Sequence, residues 1–262
     1  MSNVTPCAIV VTRLIAKFID VTANRNQNAD YLEMVGILYC TKPIRDKKMA
    51  LVILSGQTRS GKRQIADDLV LRGYTKIVTS TTRKRMNNEV EGYTYYFLDH
   101  ETFNKAKESG KYLETETFFG EQYGLSFAEL LEAIEGNVNS VVTLSPNGAK
   151  KLRKYLIANK MPHLMSFIDG EMMTILARLI KERDENSLSN AEYIDKVVSY
   201  IEMEKGWVDE AKRGTHFDIF FDMSGDRPEE IQQVSAIIHD HVTRMNELPS
   251  SINFKASIKK VA

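Results

Sequence analysis

Cysteine is nearly absent: the 262 residues hold two, Cys7 and Cys40, both in the first 40 positions. They lack metal-ligand spacing and partner histidines, so neither a disulfide framework nor a cysteine metal site is expected. An excess of either charge is also missing. Thirty-five basic side chains balance 35 acidic ones, so the broad basic face of a general nucleic-acid binder is not expected, although a local anion site is not excluded. No stretch approaches the roughly 20 apolar residues of a membrane helix. The N-terminal run CAIVVTRLIAKFI is interrupted by Arg13 and Lys17 and no small-residue cleavage site follows. A secretory signal is therefore not expected, and the location expected is cytoplasmic.

What remains is ordinary globular composition, 43% apolar and 27% charged. The polar stretch Thr22–Asp30 and the break TKPIRDKK set residues 1–48 apart as an extension of unassigned role. From residue 50 the pattern alternates. ALVILS, KIVTS, SVVTL, LMSFI and FDIFF are short apolar runs suited to buried strands. GKRQIADDLVLR, FAELLEAIE, the stretch after Pro146, EMMTILARLIKER, Asn190–Lys212 and the stretch after Pro228 have helical spacing. Asp99 and Ser126 stand where helix caps belong, Ser126 with Glu129 three residues on. YTYYF and YLETETFF are aromatic-rich and read as antiparallel strands of a small insertion. The expected class is α/β, a mainly parallel sheet covered by helices. The expected domain runs over 49–246, with a flexible tail over 247–262.

The strongest local signal is Gly56-Gln57-Thr58-Arg59-Ser60-Gly61-Lys62, which follows a buried strand and opens a helix. In that setting glycines let the backbone fold around an anion, and successive N–H groups and the helix N-terminus point at phosphates. Lys62 can reach terminal phosphate oxygens. The hydroxyl residue that usually follows this lysine and ligates Mg²⁺ is absent, because Arg63 stands there.

Further on come Ser80-Thr81-Thr82-Arg83, Glu89-Val90, Gly92, Tyr95, Phe97, Glu114 and Tyr123-Gly124. In order and spacing this series resembles the guanylate kinase family of nucleoside-monophosphate kinases, over roughly residues 50–245. The R-S-G-K ending of the loop is also similar, over a much shorter span, to some bacteriophage deoxynucleotide kinases. The resemblance implies a P-loop kinase fold with three layers, a small antiparallel monophosphate-binding subdomain over about 80–126 and a helical lid over about 178–213. It implies that Gly56, Thr58, Arg59, Ser60, Gly61, Lys62 and Arg63 bind ATP. Arg83, Tyr95 and Tyr123 would hold the acceptor phosphate, Glu114 would read the base, and Thr79 would lie near the guanine oxygen. Lys62, Arg83, Arg178 and Arg183 would act on the transferring group.

The chain departs from the family pattern at several of these positions. Met86 replaces a phosphate-binding arginine, with Arg85 beside it. Leu125 replaces the hydroxyl after Tyr-Gly, with Ser126 one residue late. Thr143 and Ser145 replace two aspartates expected to act in metal and guanine contacts. No protein metal ligand is therefore assigned, and Mg²⁺ would be held mainly by phosphates and water. The resemblance implies transfer of the ATP γ-phosphoryl to GMP, dGMP or a related nucleotide. The departures keep open an alternative, an inactive binding or scaffold module with a protein partner. A homodimer is compatible with either.

Overall fold

The computed structural model describes residues 49–118, 120–186, 190–213, 216–223 and 228–247. The N-terminal extension and the tail beyond Glu247 lie outside them.

The strands are β1 (Leu51–Gly56), β2 (Thr75–Lys76), β3 (Ser80–Thr81), β4 (Tyr96–Phe97), β5 (Tyr112–Phe118), β6 (Glu121–Ser126), β7 (Ser140–Thr143), β8 (His163–Gly170) and β9 (Ile219–Met223). The helices are α1 (Lys62–Leu71), α2 (His100–Glu108), α3 (Phe127–Glu135), α4 (Pro146–Ala158), α5 (Met172–Asn186), α6 (Asn190–Lys212) and α7 (Pro228–Glu247).

A five-stranded sheet runs in the order β2-β7-β1-β8-β9, every pairing parallel. All six residues of β1 are buried, which is why its first four, Leu51 to Leu54, read as an unbroken apolar run. Alternate residues serve opposite layers. Val52 and Leu54 pack with Ile65 and Leu69 of α1 and with Val234, Ile238 and Val242 of α7. Leu51 and Ile53 pack with Leu130 of α3 and with Leu152 and Leu156 of α4.

A second sheet, in the order β4-β3-β6-β5, overhangs one end. Two expectations change here. The apolar run KIVTS is not one strand. Lys76 belongs to the large sheet and Ser80 to the small one, because the chain crosses between them at Ile77–Thr79. The small sheet is mixed and not purely antiparallel. β3 pairs in parallel with β4 and antiparallel with β6, and β6 is antiparallel to β5.

Local rules place the helix starts. The Asp99 carboxylate accepts from the Thr102 N–H of α2. The Ser126 hydroxyl accepts from the Glu129 N–H of α3 at 3.1 Å, and Ser145 accepts from the Gly148 N–H of α4 at 3.1 Å. The start of α1 differs. Its N-cap is Gly61, with φ 98° and no side-chain cap, and no acidic residue sits in its first turn. No N-cap side chain therefore meets the first amides of α1.

Candidate nucleotide-binding cleft

The loop between β1 and α1 lies at the C-terminal end of the large sheet, where α/β folds bind ligands. Gly56 is required there. Its φ is 137°, and a Cβ would stand 2.0 Å from the Ile168 carbonyl oxygen of neighbouring β8. Arg59, at the loop's turn, has φ 61°, a left-handed conformation uncommon outside glycine. The Gln57 side chain ties the loop to β8 by accepting from the Gly170 N–H at 2.9 Å. Arg178 of α5 donates to the Arg59 carbonyl.

Lys62 folds back over this loop. Its Nζ donates to the carbonyls of Gly56, at 2.9 Å, and of Gln57. Burial pushes the ammonium down to about 8. Glu204 opposes that fall, and Arg59 and Arg63 add to it. Glu204, on α6 and 3% exposed, accepts from the Thr58 N–H at 2.7 Å. A carboxylate of this chain therefore sits on an amide of the loop between β1 and α1. Burial holds that carboxyl above its usual range, although Thr58, Lys62 and Arg59 pull it down.

The opposite side of the cleft carries a shared carboxylate. Glu89 is 4% exposed and accepts from Arg83 at 2.8 and 2.9 Å, from Arg63 at 2.8 Å and from the Met86 N–H at 3.0 Å. Burial alone would raise its pKa, but these donors hold it below the usual carboxylate range. Arg63 thus turns away from the loop it follows. Both arginines also lie over Tyr95, 5.9 Å from the ring centre for Arg63 and 5.7 Å for Arg83. Tyr95 meets Tyr123 edge-on at 6.0 Å. Phe118 touches Tyr123 on one side and Trp207 of α6 on the other.

The third wall is β5 against the start of α4. Glu114 is 6% exposed, and its Oε2 accepts no hydrogen bond. Lys151 Nζ stands 4.0 Å away. Burial raises this carboxyl to about 7, with Lys151 opposing and Glu116 reinforcing the rise. Glu116 accepts from the Ser145 hydroxyl and, at 3.0 Å, from Asn147 Nδ2.

These walls enclose a cleft of about 670 Å³, within the range that takes a nucleotide-sized ligand. It gathers Gly56, Thr58, Arg59, Ser60, Gly61, Lys62, Arg63, Thr79, Arg83, Tyr95, Glu114, Tyr123 and Arg178. All thirteen were singled out from the sequence as loop, acceptor-side or lid positions. The side chain of Arg183 lies outside the described residues. Arg85 is exposed and does not line the cleft, whereas Met86 does. Leu125 is fully buried in the core beneath α4, and the Ser126 hydroxyl is taken by its capping bond. Glu116, Phe118, Tyr200 and Trp207 line the cleft without having been expected there, and Glu204 reaches the loop at Thr58, also unexpected. For Glu116 a signal existed, since strand alternation puts it on the same face as Glu114. Glu204 lies 146 residues from Thr58 in the chain, and no local pattern marks it.

Among the described residues no group of three or more His, Cys, Asp and Glu side chains is arranged to hold a metal ion, and no helix is long and apolar enough to cross a membrane. Comparison with known proteins gives a consistent result. A family model described as guanylate kinase matches residues 48–218. The guanylate kinase of Malacoplasma penetrans is 30% identical over 143 residues, 53% of this chain and 72% of that protein. That of Chlorobium chlorochromatii is 32% identical over 136 residues, 51% and 70% of the two chains. The crystal structure of guanylate kinase from Anaplasma phagocytophilum superposes with a TM-score of 0.52 at 18% identity, covering 78% of this chain and 89% of that one.

Proposed function

Since this chain belongs to the guanylate kinase family, we propose that it transfers the γ-phosphoryl group of ATP to the phosphate of GMP, dGMP or a closely related nucleotide. The observation that carries this reading is one cleft that gathers the loop after β1 with Lys62, the Arg63–Glu89–Arg83 cluster and the buried Glu114. Phosphoryl transfer asks the protein mainly for positioning and charge stabilisation. The loop amides, the open start of α1 and Lys62 would seat the donor phosphates. Arg83 with Tyr95 and Tyr123 would hold the acceptor phosphate, a dianion suited to a guanidinium fork. Arg178 reaches the loop from α5 and would neutralise charge on the group in flight. Thr79 and Glu114 would meet the base.

The donor set does not fit a magnesium ion held by the protein. Arg63 offers no oxygen after Lys62, and Thr143 and Ser145 offer hydroxyls where carboxylates would be needed. Any Mg²⁺ would arrive with the ATP phosphates.

The test is ADP formation from Mg-ATP by the purified chain across a panel of ribo- and deoxynucleoside monophosphates. Turnover with a guanine nucleotide is expected. Replacing Lys62 by Ala should lower it by roughly 100- to 1000-fold, the effect of losing one preorganised charge contact. Absence of turnover with every acceptor, at protein concentrations where nucleotide binds, overturns the enzymatic reading in favour of a binding module.

A further inference from the structure

We infer that Glu116 is a second base-reading carboxylate, which accepts from the exocyclic amino group of a guanine-type base while Glu114 accepts from its ring N–H. The inference rests on the acceptor site proposed above and deepens it.

Glu114 and Glu116 are two residues apart on β5, so their side chains share one face, with Cα atoms about 7 Å apart. Both line the cleft. The register sets Glu114 opposite Leu125 and Glu116 opposite Tyr123 on β6. The two carboxylates are held differently. Glu114 is 94% removed from solvent by its neighbours' surfaces, at 6% exposure, and packs against Gly148. A Cβ there would come within 3.0 Å of its carboxyl carbon. Its Oε2 has no donor, which is costly for a buried polar atom unless a ligand supplies one.

Glu116 is anchored. Each oxygen takes one donor, Ser145 Oγ on Oε2 and Asn147 Nδ2 on Oε1. Ser145 is itself fixed, since its Oγ also accepts from the Gly148 N–H at the start of α4. The positive end of that helix favours a carboxylate here. An ionised carboxylate has about four acceptor sites, so both oxygens keep capacity toward the cleft.

A wall of two carboxylates accepts and does not donate. A ligand that satisfies it must present adjacent N–H donors on one edge. Guanine does so with N1–H and the 2-amino group. Adenine presents one amino group beside a bare ring nitrogen, which would face a carboxylate lone pair to lone pair. Hypoxanthine has the ring N–H and lacks the amino group. Glu114 alone separates guanine and hypoxanthine from adenine. Glu116 adds the distinction between guanine and hypoxanthine.

The experiment pairs removal of the residue with removal of the amino group. Binding of GMP and of IMP is measured calorimetrically for the full chain and for its Glu116→Gln and Glu116→Ala variants, with thermal unfolding as the control for folding. The parent is expected to prefer GMP. In both variants GMP should bind about tenfold or more weakly, as for a hydrogen bond to a charged group, and IMP should stay within about twofold, so the preference collapses. Equal loss for GMP and IMP would overturn the inference, because it would mean that Glu116 only supports the start of α4. An unchanged GMP-to-IMP ratio would overturn it too. A parent that binds neither nucleotide would overturn it together with the acceptor assignment. If the preference is Glu116-dependent but no phosphoryl transfer occurs, the base reading stands and only the catalytic proposal fails.

Discussion

Glu114 sets a buried carboxyl beside one cation at the edge of reach, Lys151 Nζ at 4.0 Å. Its pKa is raised from 4.5 in a model peptide to about 7 in the fold. In that interval the folded chain holds a proton that the unfolded chain has released. Stability from this group is thus fully present below about pH 4.5 and is lost as pH rises to 7, by up to about 3 kcal/mol on the scale of 1.36 kcal/mol per unit. Replacing Glu114 by Gln should flatten the fall in unfolding free energy between pH 5 and 8, as read by urea denaturation. An undiminished fall would assign that dependence to other groups. Ligand N–H donors favour the ionised form, so guanine-nucleotide affinity should rise across the same window. Arg63, Glu89 and Arg83 form the other residue-scale unit. One buried carboxylate neutralises part of a cluster that would otherwise place Arg59, Lys62, Arg63 and Arg83 close together.

At the scale of elements, α1 and α6 meet over one site. The start of α1 is uncapped and ready for an anion, and α6 already sends it one through Glu204 on the Thr58 N–H. An incoming triphosphate must displace that carboxylate. Glu204→Ala should therefore tighten ATP binding, on the order of tenfold if the charge-assisted bond is fully exchanged. Weaker binding in an ATP titration of this variant would show instead that Glu204 shapes the loop. Elsewhere the element starts follow from short-range rules. Asp99, Ser126 and Ser145 each satisfy an N–H three residues ahead. The first two were legible in the sequence because such contacts span three positions, and the third start was legible from Pro146. The split of KIVTS was not legible. Its residues are uniformly strand-like, and only the two separate sets of partners, β7 for Lys76 and β4 and β6 for Ser80, divide it.

For the molecule as a whole, the large sheet carries the loop proposed to seat phosphates, the small sheet carries the proposed acceptor side, and α6 closes between them. Phe118 at the end of β5 meets Trp207 at 6.0 Å across that junction. Trp207 is the chain's one tryptophan and lines the cleft. Nucleotide binding that draws the two sheets together should change its emission, so titration of the intact chain with GMP and then ATP should give a saturable change in tryptophan fluorescence. The Trp207→Phe variant should bind with similar affinity and lack the signal. A parent signal that does not saturate would mean that the junction is insensitive to the ligand.

By itself the sequence determined the alternation of strand and helix, the glycine loop after β1 and the series from Ser80 to Gly124 that resembles the family to which the chain belongs. These depend on apolar period, on glycine at positive φ and on residue types at fixed spacing, all properties of neighbours in the chain. Tertiary structure alone decided which carboxylate faces which donor. Glu204 reaches Thr58 across 146 positions, and Glu116 reaches Ser145 across 29. It also turned Arg63 toward Glu89, 26 positions away. Such pairings are set by how α4, α6 and the small sheet close over the large one. Hydrogen bonds and charges act over a few ångströms of space, and separation along the chain carries no information about them.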